Sequence, residues 1–267
     1  MDPQLGIAYC KRHGTPLEQY RVAFLFENQR DDEKAVKLVE AEELPDGGFP
    51  YGFKRGNPAC LSDTVVRLSV IVELDLLEKP VASRTADFLL SQQREDGGWD
   101  ENPALLELDP PSWDRPGELG TRTWLTGEII RQVARVVGIE NEELARGCEF
   151  LVRHFDGEKI AGYQIASGLA LAAMSWTCRE NAAIAGALLA RADDYAASED
   201  DSAFLNWYLE CFVDHGLTAQ DREVAGCLDK LEVRQRPDGA WGTEDGDEWT
   251  TNTTINALKH LKWAGRW

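Results

Sequence analysis

"LLSQQREDGGWDENP", residues 89–103, places two glutamines, an Asp-Gly-Gly turn and a tryptophan in one short row. The row recurs. Aligned on their Asp-Gly pairs, "KLVEAEELPDGGFPYG", "DFLLSQQREDGGWDEN", "EFLVRHFDGEKIAGYQ" and "DKLEVRQRPDGAWGTE" are copies of one pattern. In three of them an apolar residue (Val39, Leu89, Leu231) stands seven positions before the aspartate (Asp46, Asp96, Asp238), and in the shortened copy Leu151 stands five before Asp156. Spacing held along a chain is the signature of a repeat architecture.

Each copy is preceded by residues at helical spacing and followed by a second helix-compatible run. The second runs open at "SDTVVRLSVIVEL" (Ser62), "GTRTWLTGEIIRQVARVV" (Gly120), "YQIASGLALAAMSW" (Tyr163), "DDSAFLNWYLECFV" (Asp200) and "TTNTTINALKHLKWAG" (Thr250). Most begin with Ser, Thr or Asp, whose side-chain oxygens cap the free N–H groups of a first helical turn. The run at Asp200 follows "NAAIAGALLARADDYAAS", a helical stretch without an Asp-Gly turn and so a degenerate fifth copy, and "LEQYRVAFLFENQ" near the start reads as an incomplete sixth.

One helix-turn-helix unit cannot cover both faces of its inner helix, so neighbours must stack. The run "IASGLALAAMSW", Ile165–Trp176, carries no charge on any side and needs cover all round, which a closed ring provides better than an open array. The expected fold is therefore all-α, an α/α toroid (barrel) of five to six helical hairpins, with residues 1–267 as a single domain. The four prolines of "DENPALLELDPPSWDRPGELG", residues 100–120, forbid a continuous helix and predict an irregular surface loop.

Composition narrows the partners. A formal charge of -19 repels phosphate backbones and anionic headgroups, so nucleic acid and acidic membranes are excluded as expected partners. No charged head precedes an apolar stretch at the N-terminus, and the longest uncharged apolar run falls far short of the roughly 20 residues of a spanning helix. No transmembrane segment and a cytoplasmic location are the expectation. The six cysteines (Cys10, Cys60, Cys148, Cys178, Cys211, Cys227) are scattered and read as small buried hydrophobes. "CKRH" at residues 10–13 offers two metal ligands but no second pair accompanies it, so neither a metal nor a cofactor is expected.

The row resembles the QW motif of terpenoid cyclases: a basic residue and Gly, an aromatic followed by Leu, three residues, Gln, then Gly-x-Trp. Phe88, Leu89, Gln93, Gly97 and Trp99 match, with Thr85 after Arg84 where the leading Gly belongs. The last copy keeps Leu231, Gln235, Gly239 and Trp241 with Lys230 at the aromatic position, the third keeps Arg146, Gly147, Phe150 and Leu151, and the first has Glu43 for Gln and Phe49 for Trp. In that family the motif binds repeat to repeat and does no chemistry. The resemblance spans most of the chain and implies the α/α toroid shared by squalene cyclases, other class II terpene cyclases and the β-subunits of protein prenyltransferases, which hold an isoprenoid in an aromatic-lined lumen.

A prenyltransferase would need a zinc site of Asp, Cys and His, and none of His13, His154, His215 and His260 stands near the start of an inner run. Class II cyclases protonate an alkene with the middle Asp of D-x-D-D. The nearest match is "SEDD", residues 198–201, which makes Asp200 and Asp201 the candidate acids; Asp63 in "LSDTVV" is a third with fewer acidic neighbours in the chain. Trp124, Tyr163, Trp176, Phe204, Trp207, Tyr208 and Trp249 are the aromatic candidates for lining a lumen and stabilising carbocations through their π faces.

The sequence thus leans toward a terpene-cyclase-like enzyme that binds, and cyclises by protonation, a hydrophobic isoprenoid. Two rivals stay open: a non-catalytic toroid that binds a hydrophobic ligand or protein partner, and a carbohydrate-active toroid enzyme using carboxylates in an aromatic cleft. Class II cyclases generally use paired toroids, so a single one is a reduced enzyme, half of an assembly with a second subunit, or a scaffold.

Overall fold

A computed structural model describes residues 1–267. In chain order the helices are α1 (Pro3–His13), α2 (Pro16–Glu27), α3 (Asp32–Glu40), α4 (Leu61–Glu73), α5 (Pro80–Ser91), α6 (Leu119–Val137), α7 (Glu142–Arg153), α8 (Ile165–Trp176), α9 (Ala182–Leu189), α10 (Ala192–Ser198), α11 (Ser202–His215), α12 (Arg222–Arg234) and α13 (Thr250–Trp263). The only strands, β1 (Phe49–Pro50) and β2 (Ala59–Cys60), form a two-residue antiparallel hairpin. Two compact units divide the chain: Met1–Asp31 with Arg191–Trp267, and Asp32–Ala190. No helix is long and apolar enough to cross a membrane.

Of the five inner helices only α11 carries the expected Ser, Thr or Asp cap; Cys60, Glu118, Gln164 and Trp249 stand before α4, α6, α8 and α13, and side-chain caps also open α1, α2 and α7. Asp2 accepts from the Gln4 N–H, Thr15 and Glu18 form a reciprocal capping box, Asn141 accepts from Leu144 and Asp201 from Ala203. The stretch "NAAIAGALLARADDYAAS" is not one helix but two, α9 and α10. The loop at 100–120 is irregular, as its prolines require, and carries two short 3₁₀ turns, Pro103–Leu108 and Ser112–Asp114. Cys148 and Cys178, expected as thiols, are joined in a disulfide with Cα atoms 6.0 Å apart, which ties α7 to the residues after α8.

The repeated row joins one hairpin to the next. In the unit of residues 32–190, Trp99 is fully buried; its indole N–H donates to the Leu89 carbonyl (2.6 Å) and its backbone N–H to Thr126 Oγ1 (3.0 Å). Gln93 donates to the carbonyls of Gly97 (2.8 Å) and Glu143 (2.6 Å), the latter on the next outer helix, while Arg146 of that helix donates back to its Oε1. Where Glu43 replaces the glutamine, Arg84 reaches it from α5 with two hydrogen bonds (2.7 and 2.6 Å), so a charged pair serves in place of the amide. The same pattern recurs in the other unit, where Trp241 donates to Leu231 (2.7 Å) and Gln235 to Gly239 and Asp2 at the start of α1. Four inner helices supply a hydroxyl to the residue after the turn: Thr64 to Phe49, Thr126 to Trp99, Ser167 to Ile160 and Thr254 to Trp241.

Glycine is required in these turns on two counts. Gly97 has φ +86, and a Cβ there would lie 2.4 Å from the Arg146 carbonyl oxygen on the facing helix. Gly97→Ala therefore combines left-handed strain with a backbone collision, and we expect it to cost more than about 2 kcal/mol in urea unfolding. A cost below about 0.5 kcal/mol would show that the turn does not hold α7 in place.

Candidate functional site

The β1–β2 hairpin delivers the chain into α4 through Cys60, which is extended (φ -127) and stands immediately before the first helical turn. Asp63, the third residue of α4, is only 4% exposed. Its Oδ2 accepts from the Gly52 N–H at 2.6 Å and from the Cys60 thiol at 3.0 Å. Glu101, from the loop after α5, is fully buried and accepts from the two preceding amides of the same turn, Leu61 N–H (2.9 Å) to Oε2 and Ser62 N–H (2.7 Å) to Oε1. The Asn102 side chain donates to the Ala59 carbonyl (3.0 Å) and secures the loop against the hairpin.

Three more side chains complete the cluster. Tyr51 opens the turn at the tip of the hairpin, and Asp114, buried on the second 3₁₀ turn of the loop, is the charge acting most strongly on its phenol. Arg67, one turn below Asp63, lies 4.1 Å from the centroid of Phe53 and 5.7 Å from that of Phe49, and pairs with Glu42. Three carboxyl groups thus share the site with one guanidinium.

Burial dominates the electrostatics. It raises the Asp63 carboxyl above the ordinary aspartate range against the opposing pull of the Cys60 and Gly52 hydrogen bonds and of Arg67. Glu101 is pushed up to about 7 by burial, although it accepts hydrogen bonds from Leu61, Ser62 and Asn102. The Cys60 thiol is held well above its usual value by burial and by Asp63 and Glu101, and burial together with Asp114 and Asp63 carries the Tyr51 phenol to about 12. At neutral pH the thiol and phenol are both protonated, beside an Asp63 carboxyl whose ionisation burial opposes.

The other candidate acids sit differently. The Asp200 side chain is 79% exposed and ion-paired with Arg234. Asp201 is committed as the cap of α11, accepting from the N–H groups of Ala203 (2.8 Å) and Phe204 (3.3 Å), and also from Thr243 and Glu244. The "SEDD" carboxylates are thus taken up by a helix cap and a surface ion pair. Asp63 has company from outside its own helix, because Gly52 and Cys60 bond its carboxyl and Glu101 takes the two amides before it. No sequence periodicity marks those three.

Of the aromatic candidates, Trp124 is nearly buried with its indole N–H on the Trp113 carbonyl (2.8 Å), and Tyr163 is half-buried with its ring over Gly120. Trp176 is half-buried under the Arg135 guanidinium at 4.3 Å. In the other unit Phe204 and Trp207 place their rings 6.1 Å apart on one half-exposed face of α11. Tyr208, one turn on from Phe204, is fully buried between Tyr195 (6.2 Å) and Phe212 (5.9 Å), a core position, and Trp249 is half-buried at the start of α13. No group of three His, Cys, Asp or Glu side chains is arranged to hold a metal ion.

No family model and no curated protein matches this sequence. Solved structures do. A protein from Actinoplanes aligns over 98% of both chains with a TM-score of 0.66 at 16% identity. The type II terpene cyclase MstE from Scytonema aligns in its apo form over 99% of this chain and 87% of its own, with a TM-score of 0.61 at 14% identity. An Asp→Asn variant of that cyclase, in complex with the substrate geranylgeranyl dihydroxybenzoate, aligns with a TM-score of 0.57 at 16% identity, again over 99% and 87%. With helical hairpins joined by the repeated row and this likeness along its whole length, the chain has the all-α, α/α-toroid fold of the type II terpene cyclases.

Proposed function

We propose that this protein binds a linear, hydrophobic isoprenoid and cyclises it by protonating a terminal alkene, with Asp63 as the proton donor. The observation that carries this reading is the Asp63 carboxyl itself. It is buried, raised by burial, and oriented through one oxygen by the Cys60 thiol and the Gly52 amide. A carboxylic acid protects its reactivity for an apolar substrate only where water is excluded, because an exposed aspartate is already ionised at neutral pH. Asp200 and Asp201 lack that environment.

In the proposed step the Asp63 O–H bond breaks, its proton forms a C–H bond at the less substituted alkene carbon, and the alkene π electrons supply that bond. The tertiary cation left behind is captured by the next double bond, and loss of a proton from the cyclised cation ends the reaction. Trp124 and Tyr163, in the same unit as Asp63, are the aromatic faces proposed to stabilise positive charge. The rows around Gln93 and Gln235 are read as QW-type braces that keep the hairpins fixed and take no part in the chemistry. The geranylgeranyl substrate held by the Scytonema cyclase supports an isoprenoid of similar chemistry here.

The test is incubation of the purified protein with linear isoprenoids as free alcohols, diphosphates and the dihydroxybenzoate conjugate, followed by mass spectrometry of the extracts. A cyclised product should form with the wild type and with the Asp200→Asn, Asp201→Asn double variant, and should fall at least about 100-fold in Asp63→Asn, the loss expected when general acid catalysis is removed. Product that vanishes in the double variant but survives in Asp63→Asn would move the acid back to α11. Substrate bound and returned unchanged would make the protein a carrier.

A further inference from the structure

Asp63 occupies a position that ordinarily favours the ionised form. The first turn of a helix carries partial positive charge on its free N–H groups, and an aspartate there is stabilised as the anion. A proton donor placed in this turn needs that field withdrawn. The withdrawing group is visible: the Glu101 carboxyl takes Leu61 N–H at 2.9 Å and Ser62 N–H at 2.7 Å, the two amides immediately before Asp63. Glu101 is itself fully buried, and its loop is held by the Asn102 hydrogen bond to Ala59.

We propose that Glu101 is a positioning residue for Asp63, which by occupying both free amides at the start of α4 shields Asp63 from the positive end of the helix and keeps it a proton donor. The reading rests on Asp63 as the acid of the proposed cyclisation. The other groups facing Asp63 are Cys60 and Tyr51 from the hairpin, protonated donors at neutral pH, and Arg67 from α4, which pulls toward the anion; Asp114 acts from the far side of Tyr51. Of these, Arg67 alone bears positive charge, and its guanidinium is shared with Glu42. Glu101 acts in the opposite sense, as a cap that takes up the two free amides at the positive end of the helix.

The test reads protonation without turnover. Full-length protein labelled with ¹³C-aspartate is titrated by infrared difference spectroscopy, and the acid C=O band of Asp63 is identified by its loss in Asp63→Asn. In Glu101→Gln one of the two amides loses its acceptor and the positive end of the helix is uncovered, so the Asp63 midpoint should fall by about one pH unit, a tenfold loss of proton affinity. Glu101→Asp keeps the carboxyl but is too short to reach both amides, and should likewise lower the midpoint; it carries the test if the Gln variant does not fold. A folded variant with an unchanged midpoint overturns the proposal. If cyclisation is observed and the midpoint does not move, the catalytic reading stands and this one fails; if no substrate is ever cyclised but the midpoint moves, the reverse holds.

Discussion

Trp99→Ala should lower the unfolding free energy by about 4 kcal/mol, read as a shift in urea midpoint at constant m-value. The side chain is fully buried, its ring lies against Gly147 of α7, and its indole N–H closes the hydrogen bond to Leu89 at the end of α5. Truncation therefore removes one of the largest apolar groups in the unit and leaves a cavity between two outer helices, where rigid backbone limits collapse. Trp99→Phe separates the two contributions: it keeps most of the buried area, loses the N–H donor and should cost about 1.5 kcal/mol. Trp241, equally buried with the same bond to Leu231, should give a similar loss in its own unit. A Trp99→Ala cost under about 1 kcal/mol would mean that the row is decorative and the hairpins are held by something else.

Between pH 4.5 and 7 the wild type should lose about 3 kcal/mol of stability relative to Glu101→Gln, as Glu101 is raised from 4.5 to about 7 by complete burial. The sign follows from which state binds the proton more tightly. Here the folded state does, so the stabilisation is fully present below the unfolded value and is lost as pH rises toward the folded one. The raised Asp63 has the same sense, whereas Asp96, Asp156 and Asp221 are lowered and contribute stability that is lost at acid pH. Comparison with Glu101→Gln cancels those three, and the lower Asp63 midpoint expected in that variant widens the difference in the same direction. Unfolding curves at pH 5 and pH 7.5 for both proteins decide it. Parallel pH dependence would show that Glu101 titrates normally and is reached by water.

The two results bear on one design. The braces around Trp99 and Trp241 hold rigid hairpins, and a rigid frame is what lets a carboxylate be buried at a helix start at a standing cost. A looser frame would admit water and return both Asp63 and Glu101 to ordinary acidity.

Much of this architecture is legible in the residues alone, because its determinants are local and repeated. The Asp-Gly pairs make tight turns and in three copies the apolar residue seven positions earlier lies near the end of the outer helix, whereas the Ser, Thr and Asp residues at the inner starts supply an N-cap only at Asp201. The roles of Gln93 and Trp99 could be read because their partners lie either within the same row or one repeat further on. The break between α9 and α10 and the Cys148–Cys178 bond had no such local marker.

The candidate site is the opposite case. The acidic run at residues 198–201 is conspicuous in sequence, yet the fold spends it on a helix cap and a surface ion pair. Asp63 is inconspicuous, and its environment comes from residues 51, 52, 60, 101 and 114, spread over three segments that only folding brings together. Turns, caps and helix periodicity depend on neighbours a few residues apart, so the sequence by itself determined the hairpins and their joints. Burial of a carboxyl, and with it the readiness to give up a proton, depends on everything that surrounds the group in space, and that only the tertiary structure decided.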